Sequence, residues 1–412
     1  MRHRYIILVF LCLLLACQTS RDALVQNFAF VYRKNANPFR PELCVYHYKD
    51  DSSAVFLRFS TEEFDSKKEN SIPVASYYYS YQVFNSIDEN KLLDSLTLPI
   101  IRVNRGETVS HRINLRLGKG RYFLQLKICD VFKKTIYSCY QNIDKSDDQH
   151  RQFFLVKQKN EILYSPVITG NIPLVLEHGN PSRSSFLVKF FNRKFPIAEP
   201  PFALDKPSNF NYTADSIFTL QNIHSDSLRL NKEGFYHIQG SADSKEGLTL
   251  FRFYEEFPNI VSAKQLLEPL RYLTTRKEYD QLSAAVNQRQ AVDKFWLSLG
   301  DNPDRTRELI RKYYSRVVEA NKLFSSYKEG WKSDRGMIYI VYGAPNVVYR
   351  TSNSESWVYG DETSYLSTNF TFVKVTNPFT DNDFALDRAA LYQANWYSAI
   401  DVWRHGRALN EN

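Results

Sequence analysis

Hydrophobic positions change their spacing several times along this chain. Tyr5 to Ala16 is an apolar run behind Arg2 and Arg4. About a dozen residues cannot cross roughly 30 Å of hydrocarbon as a helix, and a basic start with a small residue before Cys17 has the three parts of a secretory leader. From about Phe28 to Val156 the pattern becomes short, partly alternating runs such as Ala54–Ser60, Ser76–Phe84 and Arg121–Ile128. Polar spacers separate them, for example Asn85–Asn90 and Gly118–Gly120. About seven such strands without helical stretches predict a β-sandwich of immunoglobulin-like size. The cluster Tyr77–Tyr81 reads as a strand with a core face and a surface face. A second β-rich stretch, about Tyr164 to Glu255, contains Ser185–Phe191, Gly234–Gln239 and Thr249–Tyr254, with a proline-rich break from Pro196 to Pro207 that reads as a loop between strands.

After Pro258 the spacing turns helical. Ala263, Leu266, Leu267, Leu270 and Leu273 recur at three and four, as do Val292, Phe295, Trp296 and Leu299. Asp304 is placed to cap a long helix carrying Ile310, Tyr313, Tyr314, Val317 and Phe324, which Gly330 ends. Met337–Tyr342 reads as a strand closed by Gly343-Ala-Pro-Asn346, followed by strands near Trp357–Tyr359 and Phe370–Val375. An amphipathic helix from about Asp387 to Arg404 closes the chain. The predicted fold is therefore mixed. A β-rich N-terminal part of one or two immunoglobulin-like sandwich units precedes an α+β C-terminal domain. The expected division is a leader at 1–16, a tether at 17–26, a sandwich at 27–160, a second β-rich domain at 161–256 and the α+β domain at 257–412.

Composition sharpens this only a little. Phe and Tyr number 29 and 27 against 14 Gly, which suits sheets that bury flat rings. The formal charge of +8 is modest for 412 residues, and no dense Lys/Arg block with interleaved aromatics marks a nucleic-acid groove. Weak attraction to anionic headgroups fits the excess better.

Leu14-Leu15-Ala16-Cys17 resembles the bacterial lipobox. That resemblance implies cleavage before Cys17 and acylation of its thiol and new amine, so that several chains on one residue give a durable anchor. Of the remaining cysteines, Cys129 and Cys139 flank a turn-like segment, which leaves a cross-strand bridge or buried free thiols as the alternatives, with Cys44 the third. Nothing has the spacing of a zinc site, and no cofactor is expected.

Gly330-Trp331-Lys332-Ser333-Asp334-Arg335-Gly336, running on to Asn346, resembles the signature of the GWxTD-domain family, with Ser333 where the family's threonine is typical. Leu267–Leu273, Asp293–Trp296 and Glu355–Trp357 add to the likeness, which covers about Phe257 to Arg407. Members are typically envelope proteins of Bacteroidota and allied bacteria, often lipoproteins, which implies attachment to the outer membrane. The family names no reaction. Read physically, Gly330, Gly336, Gly343 and Pro345 shape turns and close approaches. Trp331 packs beneath the following strand, Ser333 and Asp334 serve turn amides, and Asp334 is placed to pair with Arg335. On that reading the motif is a structural clasp. On the alternative, Asp334, Arg335 and Tyr339 form a recognition patch for a partner or glycan.

No zinc-protease, nucleophile-elbow, phosphate-loop or dinucleotide motif occurs. Seven histidines beyond the leader (His47, His111, His150, His178, His224, His237 and His405) are scattered, and His178 beside Glu177 reads as solvated loop. The expected function is a non-enzymatic interaction subunit of envelope assembly, secretion or surface export. Its partners would be the membrane, through acyl chains, and envelope proteins. A glycan-binding or glycan-processing lipoprotein is the alternative.

Overall fold

The computed structural model describes residues 27–33, 39–89, 91–204, 210–221, 228–300, 302–364 and 367–409. The leader, Cys17, the tether at 17–26 and His224 lie outside the described residues. No helix among the described residues is long and apolar enough to cross a membrane.

The first unit is built from β1 (Glu42–His47), β2 (Ser52–Ser60), β3 (Ser66–Glu69), β4 (Ile72–Phe84), β5 (Leu92–Thr97), β6 (Ile101–Asn104), β7 (Thr108–Arg116), β8 (Arg121–Asp130) and β9 (Thr135–Asp144). A three-stranded antiparallel sheet, β1-β2-β7, faces a larger one in which β4 pairs with β3, β5, β6 and β8, and β9 lies beyond β8. Alternation makes the core. Tyr77, Tyr79 and Tyr81 of β4 and Leu124, Leu126 and Ile128 of β8 turn inward to meet Val55, Leu57 and Phe59 of β2. The register on β8 and β9 sets Leu126 opposite Cys139 and Cys129 opposite Ile136. The two cysteines are three positions out of step and on opposite faces, so the bridge considered between Cys129 and Cys139 does not form, and both thiols are free, as is that of Cys44. Burial pushes the Cys44 and Cys139 thiols up to about 12.

The second unit comprises β10 (Phe154–Gln158), β11 (Glu161–Ile162), β12 (Leu174–His178), β13 (Ser185–Phe191), β14 (Ser216–Gln221), β15 (Gly234–Gln239) and β16 (Leu248–Arg252). These form one sheet ordered β11-β10-β12 and another ordered β14-β13-β15-β16. Phe154 and Val156 enter its core beside Leu176, Phe186, Val188 and Ile238. The second core thus starts at β10, ahead of the division at 160, because one alternating run gives way to the next without a change in composition.

The third unit carries α1 (Ala263–Leu267), α2 (Arg276–Ser283), α3 (Gln288–Leu297), α4 (Pro303–Phe324), α5 (Asp334–Tyr342), then β17 (Val347–Arg350), β18 (Ser354–Tyr359), β19 (Thr368–Lys374) and β20 (Phe384–Leu386), and finally α6 (Tyr392–Arg404). The strands form an antiparallel sheet in sequence order. Asn302, rather than Asp304, caps α4 by accepting from the Asp304 amide, with Pro303 in the first turn. Residues 337–342, expected as a strand, lie in α5. All nine residues of this helix are buried, and a helix enclosed on every side shows a continuous apolar run without a period. Phe28, Ala29 and Tyr32 belong to this third core and not to the first sandwich.

Candidate functional site

Five residues separate the end of α4 from the motif. Ser325 caps that helix, and Gly330 opens a short 3₁₀ turn, Gly330–Lys332, instead of ending the long helix as expected. A Cβ on Gly330 would lie 2.0 Å from the Ala320 carbonyl oxygen, and one on Gly336 would lie 2.0 Å from that of Gly330. Two glycines therefore let α4, the turn and α5 pack backbone to backbone. Ser333 locks the arrangement. Its Oγ accepts from the Gly336 amide at 3.0 Å, which caps α5, and donates to the Gly330 carbonyl at 2.7 Å. Trp331 is buried, its amide donating to Asn321 Oδ1 at 3.2 Å and its carbonyl accepting from Tyr272 Oη at 2.8 Å. At the far end Gly343, at φ +86°, terminates α5, and Pro345 is buried in the following turn.

Asp334 does not pair with Arg335. Its carboxylate takes two bonds from Arg388, at 2.6 and 2.9 Å, and one from the Leu386 amide at 2.8 Å. Adjacent helical positions point about 100° apart, so neighbours in sequence do not face each other. Arg335 points the other way, toward Glu355 at 3.5 Å, with its guanidinium 4.0 Å over the Phe384 ring. Glu355 is 5% exposed and is the hub of a buried network. It accepts from Tyr32 Oη at 2.7 Å and Trp357 Nε1 at 3.1 Å and contacts Arg350 Nε at 2.9 Å. Burial alone would raise its carboxyl, but Arg350 and Arg335 hold it below the usual glutamate range. Tyr339 donates to the Tyr32 carbonyl at 3.1 Å, and burial raises the hydroxyls of both tyrosines to about 12. Phe28 adds a backbone bond from its amide to the Val348 carbonyl at 2.9 Å. The segment from Asn27 to Arg33 is thus seated on the motif's own network. Asp334, Arg335 and Tyr339 are 8%, 4% and 4% exposed, so they make a clasp and no surface patch. Tyr32 and Arg388 escaped sequence reading because their partners are remote in the chain.

An open groove of about 1040 Å³ lies beside the clasp. One wall is the turn before α2, with Arg271 and Tyr272, together with Tyr279 of α2, and a second is α6, with Tyr397 and Arg404. The third is the proline-rich segment Pro196–Phe202. Arg404 pairs with Glu278 at 2.7 Å, and this bond, against some burial, holds the Glu278 carboxyl down. Tyr397 is 54% exposed. Sequence reading missed the groove, because its walls come from three separate stretches.

Elsewhere one cluster has the composition of a nucleophilic set. Ser53 Oγ lies 2.9 Å from His47 Nδ1 and 3.2 Å from Lys145 Nζ. Burial lowers both bases, His47 to about 4 with the Lys145 charge adding to the effect. Ser53, His47 and Lys145 are all at or below 4% exposure, and these bonds satisfy polar groups buried where the first sandwich meets the turn before β10. His178, read as solvated, is buried between Phe154 and Phe186, while Glu177 pairs with Lys157 at 2.5 Å. Among the described residues no group of three or more His, Cys, Asp and Glu could hold a metal ion.

No curated protein matches this sequence. Among solved structures, a Bacteroides uniformis beta-glucuronidase aligns at 12% identity and TM-score 0.19, covering 34% of this chain and 15% of that one. Red sea bream transglutaminase aligns at 9% identity and TM-score 0.20, covering 52% and 31%. A Salmonella alpha-2-macroglobulin mutant aligns at 9% identity and TM-score 0.18, covering 48% and 15%. The chain spans about a third or less of the length of each. The family model of the GWxTD domain matches residues 234–405, a span that starts at β15 and takes in the clasp, the buried network apart from Phe28 and Tyr32, and two walls of the groove. Residues 234–405 are thus a GWxTD domain.

Proposed function

We propose that this protein is an outer-membrane lipoprotein, anchored by acyl groups on Cys17, that serves as a non-enzymatic interaction subunit in cell-envelope assembly, secretion or surface export. The observation that carries the reading is the groove of about 1040 Å³, walled by tyrosine rings and guanidinium groups. Tyr and Arg are the residue types that dominate the energetic centres of protein interfaces. The lipobox-like leader supports the anchor, and the tether enters at a segment already fixed to the GWxTD domain. Two measurements test the reading. Affinity purification in mild detergent should recover a reproducible envelope partner, and repeated recovery of the protein alone overturns the subunit role. Cys17→Ala should move the protein from the membrane pellet to the supernatant, and continued sedimentation with membranes overturns the anchor.

The exposed ring of Tyr397 favours one second reading, glycan binding, because sugars stack on such rings. Titration calorimetry with purified envelope polysaccharide decides it: saturable heat that Tyr397→Ala abolishes supports a glycan site, and no heat removes it.

A further inference from the structure

Strands β13 and β14 are hydrogen-bonded neighbours, Ser185 opposite Gln221 and Phe190 opposite Ser216. Antiparallel neighbours need only a connection of about two to five residues. Here residues 192–215 intervene, and the excursion leaves its own sheet for the GWxTD domain. There the Ala198 amide donates to the Lys332 carbonyl at 3.1 Å, inside the motif. Arg388, the partner of Asp334, donates to the Glu199 carbonyl at 3.2 Å, and the Ala389 amide donates to that of Pro201 at 3.2 Å. Phe202 packs on Tyr397 with ring centroids 5.4 Å apart.

The held sequence is Pro196-Ile-Ala-Glu-Pro-Pro-Phe202, within a stretch that takes neither helix nor strand through Pro200. Each proline fixes its own φ and pushes the residue before it to an extended conformation. The GWxTD domain therefore grips a proline-rich peptide by its main chain and seats an aromatic side chain on an exposed tyrosine. That is a way of recognising pre-extended polypeptide at low entropic cost. The arm does not fill the site, for the groove of about 1040 Å³ runs along it with Tyr279 and Arg271 on the opposite wall.

We propose that this groove is a recognition site for extended, proline-containing polypeptide, occupied in cis by the arm at 196–202 and opened to a partner segment of the same chemistry when that arm is displaced. The proposal deepens the interaction-subunit reading by naming the partner's chemistry. The apparent affinity for a peptide in trans is the intrinsic one reduced by the fraction of molecules whose arm is off.

The test uses the full chain in mild detergent and a fluorescein-labelled peptide of residues 194–204, followed by anisotropy. Saturable binding is expected, at least roughly tenfold tighter in Phe202→Ala, which weakens the arm. Adding Tyr397→Ala should weaken binding again, and a peptide with its prolines changed to alanine should bind more weakly. Equal affinity in wild type and Phe202→Ala, or no saturable binding in either, overturns the proposal. If Phe202→Ala does not fold, hydrogen exchange of residues 196–202 in the wild type decides instead. Faster exchange under saturating peptide supports displacement, and unchanged exchange overturns it. A recovered envelope partner whose capture survives Tyr397→Ala would overturn this assignment while leaving the subunit reading intact.

Discussion

One hydroxyl, that of Ser333, both caps α5 and holds the turn before it. Ser333→Ala is expected to cost about 1 kcal/mol in urea unfolding, and Ser333→Thr close to nothing, since threonine keeps the oxygen. Its neighbour has more at stake. Asp334 is buried and Arg388 partly so, and Asp334→Ala leaves that guanidinium without its carboxylate and the Leu386 amide without its acceptor, which should cost about 2 kcal/mol, part of which Asp334→Ala with Arg388→Met restores. Glu355 makes the pH case. Its carboxyl titrates lower in the folded than in the unfolded chain, so the stability it contributes is complete above the ordinary glutamate range and is lost as pH falls through the folded value. Glu355→Gln should therefore flatten the acid limb of stability below about pH 4, and an unchanged limb would show that the hub is not titrating. At this scale the sequence was readable where the chemistry is local. The cap of Ser333 and the turn of Gly343 follow from residue type and spacing. The partner of Asp334 lies 54 positions away, and nothing near Asp334 announces it.

Elements were legible in proportion to how much of them faces solvent. The long helix α4 and the closing helix α6 have a wet side, and their three-and-four spacing shows through. Helix α5 has none, and its apolar run imitated a buried strand. The strands of the first sandwich carried the alternation that one-sided burial demands, but register did not show, and register is what separates Cys129 from Cys139. The buried setting of α5 also reverses an ordinary expectation. In an exposed helix interior Gly→Ala stabilises by up to about 1 kcal/mol. At Gly336 the new Cβ would sit 2.0 Å from a backbone oxygen, which only a shift of the 3₁₀ turn can relieve. Gly336→Ala should therefore lower stability by about 2 kcal/mol or more in thermal or urea melts. A stabilised variant would show that the turn and α5 do not approach this closely.

Across the whole molecule, what sequence reading left out is how the units meet, because junctions join residues from distant stretches. Three buried histidines stand at these seams. His47 packs on Phe153, bonds Ser53 and Gln152, and faces the Lys145 charge. His150, next to Arg151 in the turn before β10, feels the charges of Asp144 in the first unit and Asp381 in the third. His237 bonds Thr249 and the Lys245 carbonyl, feels Lys189 and Arg151, and meets Phe379 of the third unit edge to face at 5.1 Å. Burial, first among the causes, lowers each to about 4. The unfolded chain then binds protons at these sites below about pH 6.5, while the folded chain does not until about 4, so stability falls as pH drops through that window. At about 1.4 kcal/mol for each pH unit, each histidine withdraws roughly 2 kcal/mol by pH 5. Glutamine keeps hydrogen-bonding capacity without titrating there. Replacing all three should flatten the dependence of unfolding free energy on pH between 7 and 5, whatever it does to the plateau. Because the loss is placed at the seams, limited proteolysis at pH 5 should release intact units before it degrades any of them. Uniform degradation at pH 5 would place the acid-sensitive protons inside the cores instead.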